Sequence, residues 1–224
     1  MRLLSATLAI AWKDVRLEVR SRDTVVSALI FGLIVVVVFN FGLNRSPGSL
    51  APVAPGLLWV AYGFVGVLAM NRAFARELEQ GALDGLLAAP VSRDAVFLGK
   101  MFGTLSFMLV IEAVLLPVFA VMLDLPTLSP VLGLIILLAT IGFATVGTFF
   151  AAIAAQTRSR EILLPVLFFP VIVPVIIAAV EATDLVLQGG PMLAVWTRWL
   201  PLLVVFDALF LVICPWIFGY VFEG

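Results

Sequence analysis

The sequence predicts an all-α membrane protein, with six transmembrane helices preceded by an amphipathic helix that lies in the membrane interface. Three observations carry this reading. Of 224 residues, 63% are hydrophobic and 12% are charged, with a mean hydropathy of +1.22. Soluble domains average about 45–50% apolar and about 25% charged residues. Apolar runs long enough to cross a bilayer recur six times, and lysine and arginine collect on alternate sides of them. No soluble fold of this length has enough interior to hide so much apolar surface, so the bilayer must serve as solvent.

A helix rises about 1.5 Å per residue, so a hydrocarbon core of about 30 Å takes about 20 residues. The expected spans are 24–43, 52–70, 97–123, 130–155, 162–180 and 200–222. Arg2, Lys13, Arg16, Arg20 and Arg22 precede the first span. Arg72, Arg76, Arg93 and Lys100 are grouped with the loop between the second and third, Lys100 falling just inside the start of the third, and Arg158 and Arg160 lie between the fourth and fifth. The opposite loops hold only Arg45 and Arg198. Positive residues stay on the cytoplasmic side, so both termini are expected there.

Residues 1–22 form a segment of a different kind, and 23–224 form the transmembrane domain. On a helical wheel Leu4, Leu8, Ala11, Trp12, Val15 and Val19 share one face, while Lys13, Arg16 and Arg20 share another. Such a helix lies flat in the interface with its apolar side in the acyl boundary. It serves as a plain anchor, as an elbow bracing the bundle above a cytoplasmic partner, or as both. Ala9-Ile10-Ala11 imitates a signal-peptide cleavage site, but cutting there leaves too short an apolar core. Trp59, Trp196 and Trp199 fall near outer span ends, and Trp216 and Tyr220 near an inner end, as aromatic belts do.

The composition also excludes function classes. The chain has no histidine and one cysteine, Cys214. The commonest metal ligand and general base are therefore absent, and no intrachain disulfide can form. No metal site and no catalytic residue is expected. The spans offer no paired carboxylates and no nucleophile–base pair for an intramembrane enzyme. A pI of 5.4 gives no reason to expect nucleic acid. No glycine-rich loop ends in Gly-Lys-Ser/Thr, so the chain has no ATP-binding motif of its own.

The most informative stretch is the loop 71–96. Its centre reads Arg76-Glu77-Leu78-Glu79-Gln80-Gly81-Ala82-Leu83-Asp84-Gly85-Leu86-Leu87, followed by Ala88-Ala89-Pro90-Val91-Ser92. The second span is expected to run on as a helix to Gln80, where Gly81 permits a sharp turn. Residues 82–89 then put Leu83, Leu86 and Leu87 on one face of a short helix. Pro90 stops it, and Ser92 caps the next helix. By physics alone, the exposed leucine face suits docking to a protein or seating on the lipid surface equally well.

This loop, with its acidic pair Glu77 and Glu79, Gly81, Leu86-Leu87, Pro90 and Gly99-Lys100, resembles the loop of ABC-2-type permeases. Two further motifs are similar to those of the haem exporter protein B family, the CcmB-type permease of cytochrome c maturation. They are Ala54-Pro55-Gly56-Leu57-Leu58-Trp59-Val60 and Leu163-Leu164-Pro165-Val166-Leu167-Phe168-Phe169-Pro170-Val171-Ile172-Val173-Pro174. The resemblance covers nearly the whole chain and implies a permease subunit without enzymatic activity. Helix 82–89, with Glu77, Glu79, Gly81, Leu83, Leu86, Leu87 and Pro90, would be the coupling helix seated in a separate ATPase subunit that holds the ATP. The implied setting is a bacterial inner membrane. A permease homodimer and other cytochrome c maturation membrane proteins are the implied partners, and haem would be handled through partner subunits. Another cargo (lipid, polysaccharide or drug) or a secondary transporter are the alternatives.

Within the spans, Glu112 is the candidate polar residue. A charge at mid-span costs at least about 2.5 kcal/mol on insertion scales. It suits a substrate path or, more plainly, a protonated carboxyl hydrogen-bonded between helices. Pro165, Pro170 and Pro174 interrupt the fifth span and free carbonyls one turn back, for a hinge or for a kinked packing helix. Cys214 reads as a small packing residue. Thr140, Ala144, Thr148 and Ala152 recur every four residues, as do Gly99 and Gly103. Such stripes suit close packing within the chain or between two copies.

Overall fold

Among the described residues, seven long helices build the protein. Its structure, a computed structural model, describes residues 3–20, 22–43, 52–74, 91–123, 129–157 and 160–221. The helices are α1 (Leu3–Arg20), α2 (Arg22–Leu43), α3 (Ala54–Ala73), α4 (Arg93–Met122), α5 (Pro130–Ala155), α6 (Arg160–Leu187) and α7 (Leu200–Val221). A short helical turn (Met192–Ala194) and a π-helical segment (Val195–Trp199) lead into α7. No strand occurs among the described residues. Among the described residues, five helical segments are long and apolar enough to cross a membrane: Ala54–Asn71, Arg93–Met122, Pro130–Ala155, Ile162–Leu187 and Met192–Tyr220. In α2 the corresponding apolar stretch is Val25–Phe39. The chain is an all-α membrane protein.

Local signals set the helix ends. Ser92 caps α4 by accepting from the Ala95 N–H at 3.3 Å, and Ser129 caps α5 by accepting from the Val131 N–H at 3.1 Å, with Pro130 in the first turn. Both satisfy backbone donors that a helix N-terminus otherwise leaves unpaired. Helix α6 runs to Leu187, beyond the expected end at 180, because nothing before Gly189 breaks it. Gly189, at φ +68°, takes the left-handed turn. The Gly190 N–H then closes on the Leu185 carbonyl at 2.8 Å, as in a Schellman cap. Helix α4 starts at Arg93, four residues before the expected span, since helicity follows the Ser92 cap rather than the onset of the apolar run.

Helices α3 and α5 form the centre. Helix α3 touches α2, α4, α5 and α6, while α5 touches α3, α4, α6 and α7. An aromatic chain ties four helices together: Phe119 to Tyr62 at 6.5 Å, Tyr62 to Trp59 at 5.7 Å, Trp59 to Phe143 at 6.4 Å and Phe143 to Phe168 at 5.5 Å. Such ring pairs add to the stabilisation that burial alone provides. Gly147 of α5 faces Met70 so closely that no Cβ fits between them. In apolar surroundings this close approach gives helices the packing that holds them together. Thr140, Ala144, Thr148 and Ala152 are all fully buried within the one chain. That stripe therefore serves intrachain packing and not a dimer seam.

By sequence Trp59 falls in an outer aromatic belt. It is 2% exposed instead, and its indole N–H donates to Thr183 Oγ1 at 3.0 Å. A hydroxyl on α6 satisfies its polar end, so the ring has no need of the membrane–water boundary. Trp196, Trp216 and Tyr220 do face outward.

Candidate functional site

Polar groups gather at two places in this apolar bundle. The first is the junction of α1, α4 and the end of α3. By sequence Lys100 groups with the loop cations, yet it lies inside α4 at 2% exposure. Its Nζ stands 3.1 Å from Oδ2 of Asp14 on α1, and Oδ1 of Asp14 stands 3.1 Å from Lys13 Nζ. The ammonium also lies 5.3 Å from the centre of the Phe74 ring, where the quadrupole attracts it. The charge is tolerated because a carboxylate and a ring face replace water.

Glycines permit this contact. A Cβ on Gly99 would stand 2.7 Å from the Ile10 side chain and 3.1 Å from the Thr7 carbonyl. On Gly103 it would stand 3.0 Å from Cβ of Asp14. The Gly99/Gly103 pair is thus the groove in which α1 lies. Gly32, near the middle of α2, abuts Leu115 of α4. Leu115 is about 22 residues into α4 and Gly32 about ten into α2. For helices side by side, α4 therefore extends about 18 Å past the start of α2. Helix α1 packs on this extension.

Phe74 is 2% exposed, with its ring 6.4 Å from Phe218 of α7, and Phe218 also meets Phe97 at 5.3 Å. Arg93 Nη1 donates to the Gly219 carbonyl at 3.1 Å. Segment 75–90 thus leaves from Phe74 and returns near Ser92 on ends tied to α1, α4 and α7. The expected coupling residues Glu77, Glu79, Gly81, Leu83, Leu86, Leu87 and Pro90 lie outside the described residues. The frame that carries them is described.

The second place is the middle of the bundle. Glu112 is 2% exposed. Its Oε2 lies 2.8 Å from Thr140 Oγ1 on α5, and Thr140 Oγ1 also lies 2.7 Å from the Ile136 carbonyl. The Tyr62 hydroxyl donates to the Glu112 backbone carbonyl at 3.2 Å. Glu112 therefore joins α3, α4 and α5. Its Oε1 has no hydrogen-bond partner among the described residues.

The sequence reading missed a second intramembrane acid. Asp207 on α7 is 5% exposed, and neither of its carboxyl oxygens has a hydrogen-bond partner among the described residues. It faces Gly142, where an added Cβ would stand 2.9 Å from Oδ1 and 3.5 Å from Val175 of α6. Thr140 and Gly142 lie two residues apart on α5, so the two acids approach that helix at nearly the same depth. The signal was present in the sequence, because Asp207 is the one charged residue in Leu200–Val221.

Pro165, Pro170 and Pro174 all lie within α6. Helix α6 continues through all three, and it buries Leu164, Phe168, Ile172, Val175 and Ala179 toward the bundle. Pro170 and Pro174 sit on its exposed side. Cys214 is buried. Among the described residues no three metal-ligating side chains come together.

The chain matches the CcmB protein family over residues 5–223. It is 35% identical to heme exporter protein B of Rhodobacter capsulatus over 191 residues, which is 84% of this chain and 85% of that protein. To heme exporter protein B of Paracoccus denitrificans it is 34% identical over 175 residues, 78% and 80% of the two chains. The Pseudomonas aeruginosa protein of the same name is 29% identical over 180 residues, 80% and 81% of the two. With a family match running almost end to end and relatives aligned over most of both lengths, the chain belongs to the CcmB protein family.

Proposed function

We propose that this chain is the permease subunit of an ABC transporter that handles haem for cytochrome c biogenesis, driven by a separate ATPase subunit. One observation carries the reading: relatives called heme exporter protein B align over about four fifths of both chains. Haem is the cargo, held through partner subunits. ATP binds the partner ATPase, and this chain performs no chemistry of its own. Its setting is the bacterial inner membrane, with both termini cytoplasmic and six spans, α2 being the first. A second copy and other cytochrome c maturation membrane proteins complete the assembly.

The geometry supports a coupling role for segment 75–90. Both of its ends are fixed, Phe74 by Lys100 and Phe218, and Arg93 by the Gly219 carbonyl. A push on residues 82–89, the expected coupling helix, would therefore reach α1, α4 and α7 together. In this reading α1 lies in the cytoplasmic interface as the elbow, bound to the overhanging start of α4 through Asp14 and Lys100.

A second reading, a secondary transporter, draws on Asp207 and Glu112, which meet α5 at nearly the same depth, since buried mid-span acids mark ion paths in such proteins. Deleting the gene and staining c-type cytochromes for haem separates the two. Loss of mature cytochromes, restored by the wild-type gene and not by Leu86→Asp, is the expected result. Unchanged cytochromes in the deletion strain would contradict the proposal.

A further inference from the structure

We propose that Asp207 is a proton-binding site, closed within the seam of α5, α6 and α7 and opened to water when α6 bends at Pro174. The side chain is buried, and neither carboxyl oxygen has a hydrogen-bond partner among the described residues. Gly142, Val175 and Phe206 meet at the same level, and none of them carries a polar side chain. Any Cβ in place of Gly142 would stand 2.9 Å from Oδ1. The glycine on α5 thus leaves room for a group that packing alone does not require.

The surroundings select the occupant. Calcium and magnesium take about six or more oxygen ligands, which one carboxyl among apolar side chains cannot supply. A proton needs only the carboxyl. Helix α7 packs on α4, α5, α6 and the π-helical segment, and none of these brings a counter-charge to the site. Helix α5 has no charged residue. On α6, Glu181 and Asp184 lie about 9 and 13 Å beyond Val175, and Arg160 and Glu161 stand at the far end. Arg198 of the π-helical segment precedes Asp207 by about 13 Å of helix. Glu112 of α4 meets α5 at Thr140. Two residues turn a helix by about 200°, so Glu112 and Asp207 lie on opposite sides of α5. Arg93, Asp94 and Lys100 are about 18 Å or more from Glu112 along α4. A lone carboxylate in such a place is costly, so Asp207 keeps its proton while the seam is closed.

Pro174 gives the seam a hinge. It has no N–H, so the hydrogen-bond ladder of α6 is interrupted beside Val175, the buried residue that meets Gly142. Helix α6 can therefore bend at the depth of Asp207. Opening admits water and lets the carboxyl ionise, and closing takes a proton back.

This site requires neither haem nor an ATPase, only the membrane-spanning bundle. The test is infrared spectroscopy of the full chain at neutral pH in dodecyl maltoside, a detergent without carbonyl groups. A protonated carboxyl shows a C=O stretch apart from the amide and carboxylate bands, and the band shifts in D2O once its proton exchanges. The expected result is such a band that disappears in Asp207→Asn, survives Glu112→Gln, and in the wild type gives way to carboxylate absorption as the pH is raised. Pro174→Ala restores a helix N–H and should slow exchange of the band about fivefold, the worth of one hydrogen bond. Melting temperature checks that each variant stays folded, and Asp207→Leu gives the same reading should Asp207→Asn fold poorly. Carboxyl bands that are identical in the wild type and both Asp207 variants would overturn the proton site. An exchange rate unchanged by Pro174→Ala would overturn its opening by α6. Cytochrome staining is scored separately, so failure here does not bear on the haem-handling function.

Discussion

Lys100 Nζ and Asp14 Oδ2 lie 3.1 Å apart across the seam between α1 and α4, with the lysine sealed from solvent and the aspartate partly open. This pair fastens the N-terminal helix to the bundle. Removing one partner of a buried pair strands the other charge, at a cost of about 3–5 kcal/mol. Asp14 keeps some exposure, so Asp14→Asn is expected to destabilise by about 3 kcal/mol, the lower end of that range. The double variant Asp14→Asn/Lys100→Met should recover most of the loss. Thermal unfolding of all four proteins in one detergent completes the cycle, and purely additive effects would argue against a direct pair.

The seam itself gives the next expectation. Gly99→Leu places a side chain where Ile10 and the Thr7 carbonyl already stand. Overpacking of this sort costs about 1–3 kcal/mol, and here the cheapest relief is for α1 to leave the groove. Limited proteolysis should cleave within residues 1–22 faster in Gly99→Leu than in wild type. The exposed change Leu4→Gln should leave the rate unchanged.

Much of this architecture was legible in the sequence. The five long spans, the amphipathic α1 and the Ser92 cap all follow from local pattern. Two partners were not legible. Lys100 looks like a loop cation by sequence, because nothing local shows that Asp14, 86 residues earlier, will neutralise it. Trp59 looks like a belt residue, because its partner Thr183 lies 124 residues away. Asp207 was legible as a lone acid in an apolar span and was overlooked. Its setting against Gly142 required the packed bundle.

Asp207 offers a test of function set against stability. A buried unsatisfied polar group costs about 1–3 kcal/mol. Asp207→Leu should therefore stabilise the protein by about 2 kcal/mol in thermal unfolding. If this acid serves transport, the same variant should lose cytochrome c maturation in cells despite its greater stability. A stabilised and fully active variant would mark Asp207 as dispensable.

Thr140 and Glu112 hold α5 to α4 through one hydrogen bond at 2.8 Å. Hydrogen bonds between membrane helices average about 0.6 kcal/mol, so Thr140→Val should cost little on its own. Glu112→Gln keeps a polar group at the same place and should be tolerated similarly. Glu112→Ala adds a cavity and should lose about 2 kcal/mol in the same unfolding assay. Equal losses for Gln and Ala would show that the carboxyl group itself, and not the packing, is what matters.

Segment 75–90 is proposed to couple this permease to an ATPase. Its most direct test is to purify the tagged chain in mild detergent and identify what accompanies it by mass spectrometry. The expected result is an ABC ATPase together with cytochrome c maturation proteins, and loss of the ATPase on Leu86→Asp while the permease still inserts in the membrane. A chain that comes alone under every gentle condition, or an ATPase that stays bound to Leu86→Asp, would contradict it.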